Sequence, residues 1–190
     1  MKGAPDAREF WTTWKNVICP ILDQYYYLFN NDKEWTDTLF GKNPLVPEKI
    51  RSELGISRLR INDHLIDGAF GGSENLIYIN DSRRFWPVKY TILLEHENLF
   101  DQVDEELFKL INRRSPLKVI VTYKVKQDPI IRIDEKVKMF CSIIKKSNAW
   151  FPENESTEYL CIFGYRNETD SALLWRAFIF NIKGEYLELK

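Results

Sequence analysis

The chain of 190 residues carries 27 Lys and Arg against 28 Asp and Glu, and this net charge of -1 provides no global basic field that would attract a polyanion. Any surface for nucleic acid must therefore be local. A hydrophobic share of 44%, with 12 Phe, 9 Tyr and 6 Trp, excludes a disordered chain, and the length predicts a single folded domain spanning 1–190.

The cysteines and the N-terminus indicate where the protein resides. Cys19, Cys141 and Cys161 are odd in number and stand among apolar residues, which favours reduced thiols over a disulfide framework or a zinc site. The opening MKGAPDAREF lacks an apolar signal segment, and no apolar run approaches the ~18 residues that a membrane span needs. We therefore expect a cytoplasmic protein with no membrane segment.

The first third of the chain is predicted to be mainly helical. Apolar residues recur at three- and four-residue spacing from Phe10 to Tyr25, and Pro20 should kink or divide that helix. The stretch from Asn30 to Pro47 is rich in Asn, Asp, Gly and Pro, which predicts a loop with at most one short turn. A short helix should then follow over Pro47–Leu54.

Strands are predicted from Leu59 onward. Alternation predicts a strand with one face made of Leu59, Ile61, Asp63, Leu65, Asp67 and Ala69. A glycine turn and a second strand at Leu76–Ile79 would complete a hairpin, and Asp81–Pro87 would lead to a central strand, Val88–Glu97.

A crossover helix is predicted next, over Asn98–Asn112, followed by a strand at Leu117–Tyr123. Strand, helix and strand in succession favour a right-handed crossover between parallel strands. The helix is rich in acids in its early turns, and we expect its acidic face to be solvent-exposed; those acids are Asp101, Asp104, Glu105 and Glu106.

The remaining chain predicts a linker opened by Pro129, a helix over Asp134–Lys146, and strands at Glu158–Tyr165, Leu173–Asn181 and Tyr186–Leu189. The fold class is therefore α/β, with a central mixed sheet flanked by helices.

Three acids could carry chemistry: Asp67, Glu95 and Glu97. Glu95 and Glu97 project from one face at the end of the central strand, and like charges that close are costly unless a cation lies between them. Asp67 lies late in the preceding hairpin, and neighbouring strands are ~4.8 Å apart, so its carboxylate could face the same ion. A divalent metal such as Mg²⁺ suits this set, and it would activate water for hydrolysis of a phosphodiester.

The order D-x27-E-x-E followed by a helix and a strand resembles the PD-(D/E)xK nuclease superfamily over Leu59–Lys124. The resemblance implies a restriction-endonuclease-like core, nuclease activity on DNA, and Mg²⁺ or Mn²⁺ as cofactor. It implies Asp67 and Glu95 as metal ligands and catalytic residues, with Glu97 where the usual lysine stands, as in the E-x-E variants. Ile66 replaces the usual proline. Nucleases of this fold often dimerise to cut two strands, which makes a homodimer a further expectation.

Because Glu97 stands where the superfamily usually has a lysine, the attacking water would have to be activated by the metal or by the Glu97 carboxylate. Lys89 and Lys124 are the nearest basic candidates along the strands. Glu9 on the first helix and Gln102 on the crossover helix could serve as the accessory acid or amide that many members of the superfamily carry.

Other interpretations of these residues stay open. His96 points away from Glu95 by strand parity, which favours a packed core histidine, and His64 has no assigned role. The basic pairs Arg58/Arg60, Arg83/Arg84, Arg113/Arg114 and Lys145/Lys146 could contact phosphates or lie in solvent. The alternative functions are a non-catalytic nucleic-acid- or protein-binding module on the same fold, and an interaction protein on an unrelated α/β fold.

Overall fold

The structure is a computed structural model, and it describes residues 5–63, 66–71, 76–79, 82–87, 90–125, 128–166 and 172–190. Its centre is a seven-stranded sheet. In spatial order the strands are β1 (Arg58–Asp63), β2 (Ile66–Gly71), β5 (Ile92–Glu97), β6 (Leu117–Thr122), β7 (Glu158–Arg166), β8 (Leu173–Phe180) and β9 (Tyr186–Leu189). Two further strands, β3 (Leu76–Ile79) and β4 (Ser82–Pro87), pair with each other in a separate sheet.

The sheet is mixed, as the sequence predicts. Strand β2 runs antiparallel to β1 and β5, while β5, β6 and β7 are parallel. Each parallel connection is a helix: α5 (Val103–Ile111) joins β5 to β6, and α6 (Pro129–Trp150) joins β6 to β7. The carboxyl ends of three parallel strands therefore meet at one edge of the sheet, where α/β proteins commonly bind ligands.

The N-terminal helices cover one face of the sheet. They are α1 (Ala7–Thr13), a π-helical turn (Trp14–Ile18), α2 (Cys19–Gln24), α3 (Asp32–Leu39) and α4 (Leu45–Glu53). Their side chains form one core with Ile92, Leu94, Val119 and Val121 of the sheet. Pro20 has no backbone N–H to donate, and the helix widens into the π-helical turn before it.

Helices α5 and α6 cover the opposite face. Leu93 and Ile120 contribute to this second core from the sheet, and Val103, Leu107, Phe140 and Ile144 from the helices. Successive residues of β5 consequently enter different cores. This alternation places Glu95 on the α5 side and His96 on the side of the N-terminal helices.

Two N-terminal predictions need correction. The predicted loop from Asn30 to Pro47 contains α3, because the Asn31 side chain accepts a hydrogen bond from the Glu34 N–H and thereby caps a helix. Trp35 and Leu39 of this helix are fully buried, so tertiary packing outweighs the loop-like composition. The helix predicted from Pro47 begins two residues earlier, at Leu45.

The prediction of one strand from Leu59 to Ala69 is wrong, because this stretch forms two antiparallel strands. Ile61 pairs with Gly68, so β1 and β2 form the hairpin themselves, with residues 64 and 65 outside the described ranges. Strand β3 pairs with β4 instead of completing that hairpin. The central strand begins at Ile92, and residues 88 and 89 lie outside the described ranges.

The later elements agree more closely with expectation. The crossover helix starts with a 3-10 turn, Phe100–Gln102, before α5. Pro129 opens α6 rather than a linker, since the first position of a helix needs no N–H partner within the helix. The cysteines are free, with Cys161 buried and the other two half-buried. Among the described residues, no helix is both long enough and apolar enough to span a membrane.

Candidate active site

The structure brings Asp67 and Glu95 together across β2 and β5. Gly68 pairs with Leu94, so Asp67 and Glu95 are the next residues of this antiparallel ladder. The Asp67 N–H donates to Glu95 Oε2 at 3.4 Å, and the His96 N–H donates to Asp67 Oδ2 at 2.9 Å. The two carboxyl groups are thus tied to neighbouring strands by backbone contacts.

Glu106 and Lys109 of α5 extend this pair into a larger group. Glu106 is only 5% exposed, and its carboxyl group is near enough to Glu95 to raise the pKa of that residue. Lys109 Nζ donates to Glu106 Oε2 at 2.6 Å. The expectation that the acids of this helix face solvent is therefore wrong for Glu106, although Asp101 and Glu105 are exposed.

Burial and like charge govern the titration of the pair. Burial, followed by the charges of Asp67 and Glu106, raises the pKa of Glu95 from its ordinary 4.5 to about 9. Burial also raises the pKa of Asp67. Lys109 opposes these shifts, and although burial acts against its charged form, the hydrogen bond to Glu106 raises the net pKa of Lys109. In the absence of a cation, Glu95 therefore retains a proton at neutral pH.

Glu97 belongs to the same electrostatic group and is fixed by the backbone that follows it. Its Oε1 accepts the Leu99 N–H at 2.7 Å. Burial raises its pKa first, and the charges of Glu106 and Asp67 add to that effect. Together with Asp67, Glu95 and Glu106, it gives four carboxyl groups around the single ammonium of Lys109 in the part of the chain that is described. We name this set the acidic cluster.

The acidic cluster has features that suit a hard divalent cation. Glu95 Oε1 is buried and has no hydrogen-bond partner among the described residues. Within those same ranges, no three His, Cys, Asp or Glu side chains are already arranged around one metal position. Mg²⁺ commonly uses only one or two carboxylates, with waters and substrate phosphates as its other ligands. Asp67 and Glu95 therefore fit such an ion as a two-carboxylate site.

The three accessory candidates lie elsewhere. Glu9 is in the first turn of α1, on the opposite face of the sheet, near the amino end of β7 where the Ala7 N–H donates to Glu158. Gln102 is exposed in the 3-10 turn before α5. Lys124 forms an ion pair with Asp32 of α3, and its ammonium lies 5.1 Å from the centre of the Phe29 ring. The structure places none of the three in the acidic cluster.

His96 has the packed role that strand parity predicts. Its ring stacks on Phe40, with centroids 3.7 Å apart, and its Nε2 is hydrogen-bonded to the Tyr123 hydroxyl, which also accepts from Trp35 Nε1. Burial lowers the pKa of His96 from 6.5 to about 3, so the ring is neutral. His64 and Lys89 lie outside the described residues.

Sequence reasoning missed Glu106, Lys109 and Thr122. Glu106 follows Val103 by three residues and precedes Leu110 by four, so it interrupts the apolar stripe of α5, which is a detectable signal. Thr122 pairs with Glu97, and its buried Oγ1 has no hydrogen-bond partner among the described residues. Nothing in the local pattern of β6 distinguishes this threonine from an ordinary strand residue.

The basic pairs do not join the acidic cluster. Arg113 and Arg114 are exposed after α5, and Lys145 and Lys146 are exposed on α6. The side chains of Arg58, Arg60, Arg83 and Arg84 lie outside the described part of the chain.

Comparison with known proteins leaves the site to be interpreted on its geometry. No model of a known protein family matches the chain, and no curated protein matches it. Function must therefore be argued from the chemistry of the residues that the fold brings together.

Proposed function

We propose that this protein is a metal-dependent nuclease with a restriction-endonuclease-like core, and that it hydrolyses phosphodiester bonds in DNA. The observation that carries the proposal is the opposition of Asp67 and Glu95 on β2 and β5, with Glu106 and Lys109 beside them. Perturbed carboxyl pKa values caused by burial and like charge mark candidate catalytic sites.

The topology supports the proposal independently of the acids. The order of helices, β1, β2, β5, α5 and β6 gives two antiparallel pairings followed by a parallel pair with a helical crossover. The resemblance to the PD-(D/E)xK superfamily implies two neighbouring strands followed by a crossover helix and another strand, and β2, β5, α5 and β6 fit that order, with β3 and β4 as an excursion between β2 and β5.

Asp67 and Glu95 are the residues that would hold Mg²⁺ or Mn²⁺. When bound, such a cation polarises the phosphate and lowers the pKa of a bound water. To hold such an ion, Glu95 would have to lose its proton to solvent, because a metal ligand must be deprotonated. The buried position of Glu95 limits the water around the reacting group.

Glu97 and Lys109 divide the role of the usual motif lysine. The Glu97 carboxylate is the general base that takes the proton of the attacking water, while a bond forms from the water oxygen to phosphorus and the bond to the leaving oxygen breaks. The leaving oxygen takes a proton from solvent. Lys109 supplies the cationic charge, and Glu106 orients it through their 2.6 Å hydrogen bond.

The first prediction concerns the paired acids. Plasmid nicking with Mg²⁺ or Mn²⁺ should fall about a thousandfold in Asp67→Asn and in Glu95→Gln, because each loses an anionic ligand without losing volume. Initial rates from agarose gels measure the effect. Glu105→Gln is the control, since it neutralises an exposed acid on α5, the helix that carries Glu106, and should leave the rate unchanged.

Equal nicking by the native protein and Glu95→Gln would contradict the proposal. Calorimetry provides a readout besides activity: Mn²⁺ binding should be lost in Asp67→Asn and retained in Glu105→Gln. Metal binding that survives Asp67→Asn would equally contradict the assignment of the ligands.

A further inference from the structure

A second feature, a cleft of about 740 Å³, lies at the carboxyl edge of the parallel strands. Leu99 follows β5 by two residues, Lys124 follows β6 by two residues, and Arg166 is the last residue of β7; all three line this cleft. Pro129, at the start of α6, closes another side. The cleft therefore occupies the edge at which the strand carrying Glu95 also ends.

Three cations line the cleft, and aromatic rings hold them in place. Lys124 and Arg166 lie over Phe29, with their charged groups 5.1 and 4.9 Å from its centroid. Arg132 lies over Phe100 at 5.1 Å. These contacts position the charged groups before any ligand arrives, which reduces the entropy that binding would cost.

The acids of the cleft are more exposed than its cations. Lys124 pairs with Asp32 and Arg132 pairs with Asp101. The side chains of Asp32 and Asp101 are 53% and 76% exposed, against 15% and 32% for their cationic partners. Exposed carboxylates are weak partners that a better anion can displace, and a phosphate offers the cations more acceptor oxygens.

The rings themselves are not available to stack on bases. Phe29 is 1% exposed and Phe100 is 4% exposed, so they support the cations from beneath and leave no open aromatic face. Recognition by this cleft would therefore depend on backbone phosphates and be insensitive to sequence. The N-terminus of the 22-residue α6 adds a favourable dipole for the same kind of anion.

The geometry points to a binding site for the phosphate backbone of one nucleic-acid strand, which the cleft holds beside the acidic cluster. This inference rests on the proposed nuclease function and names the part of the substrate that is bound. A cleft of this volume takes about one or two nucleotides. Glu97 connects the two sites, because the Leu99 N–H that it binds belongs to a residue lining the cleft.

The test measures fluorescence anisotropy of a labelled oligothymidylate of about 12 nucleotides without metal. Lys124→Gln combined with Arg166→Gln should weaken binding about tenfold and lower the slope of log affinity against log salt by about 1.4, because two phosphate contacts are lost. Lys49→Gln, which removes a charge from α4 outside the cleft, should change neither quantity. Oligoadenylate should respond to these variants as oligothymidylate does, because the cleft does not contact bases.

A variant that binds more tightly than the native protein cannot be explained by misfolding, unlike the weaker binding expected of the cation variant. Asp32→Asn combined with Asp101→Asn should tighten binding about threefold or more, because the competing carboxylates are neutralised. Replacement of the probe by its uncharged methylphosphonate analogue should abolish binding. The inference is overturned if the cation variant binds as Lys49→Gln does, or if the methylphosphonate strand binds as tightly as the native one.

The two proposals can fail separately. Oligonucleotide binding that depends on Lys124 and Arg166, without any metal-dependent nicking, would support the phosphate site and contradict the nuclease function. The opposite result is nicking that requires Asp67 and Glu95, with a rate and an affinity that do not change when Lys124 and Arg166 are substituted. It would support the nuclease function and contradict the phosphate site.

Discussion

Glu95 and His96 are consecutive buried residues of β5, but their side chains have different polar partners on the two faces of the sheet. On one side, the neutral ring of His96 stacks on Phe40 and forms a hydrogen bond with the Tyr123 hydroxyl. On the other, Glu95 meets two further carboxyl groups, and its Oε1 has no partner among the described residues. A satisfied polar group stabilises a core, whereas clustered like charges cost stability and mark a candidate ligand site.

The largest expected effect on stability tests the His96 side. His96→Ala should lower the free energy of unfolding by about 3 kcal/mol, because it opens a cavity and leaves the Tyr123 hydroxyl with one hydrogen bond fewer. Denaturant unfolding measures the change, and His96→Phe, which keeps the ring stacked on Phe40, should lose less. A loss below about 1 kcal/mol in His96→Ala would break the contrast with Glu95.

A somewhat smaller effect tests the other side, through the cation of the acidic cluster. If the nuclease proposal holds, Lys109→Gln should slow plasmid nicking about a hundredfold, equivalent to ~2.7 kcal/mol of transition-state stabilisation, at a protein concentration and temperature where denaturant unfolding shows the variant to be folded. Lys138→Gln removes an exposed charge from α6 and is the matched control. An unchanged nicking rate in Lys109→Gln would leave that lysine with only a structural role beside Glu106.

The last contrast, and the smallest for a change of one pH unit, is a pair of opposite pH dependences in the metal-free protein. Glu95 has a raised pKa in the folded state, so the folded state binds more protons and stability falls as pH rises from about 4.5 to about 9. His96 has a lowered pKa, so the unfolded state binds more protons and stability falls as pH drops from 6.5 towards about 3. Each slope is at most ~1.4 kcal/mol per pH unit.

Two substitutions separate these slopes. Glu95→Gln should flatten the alkaline dependence and leave the acid one, while His96→Phe should do the reverse. Thermal or denaturant unfolding across the pH range measures both. Retention of the alkaline slope in Glu95→Gln would assign it to another group, such as Asp67, whose pKa burial also raises.

Alternation along strands made part of the site predictable. A period of two placed Glu95 and Glu97 on one face and His96 on the other, and the order of elements placed Asp67 on a preceding strand. Those relations are local, so periodicity captures them. The antiparallel register that sets Asp67 beside Glu95 was not predicted, because β2 pairs with β5 across the segment that holds β3 and β4, and not within the predicted hairpin.

The parts that sequence reasoning missed depend on contacts between distant segments. Glu106 is one of several acids on α5, and only packing against the sheet shows which of them is buried. Helix α3 was obscured by Asn- and Asp-rich composition, although the same residue types cap helices. The cleft joins Phe29, Lys124 and Arg166, whose separation along the chain hides their proximity.

The excursion formed by β3 and β4 has a consequence for how this protein could change over time. Antiparallel strands such as β2 and β5 can be joined by a loop of about two to five residues, so the chain between Gly71 and Ile92 is longer than the sheet requires. It leaves the sheet at the amino end of β5, away from Glu95. Descendants of this protein could lengthen, shorten or replace this segment, and so acquire new specificity, without disturbing the carboxylates that the neighbouring strands hold together.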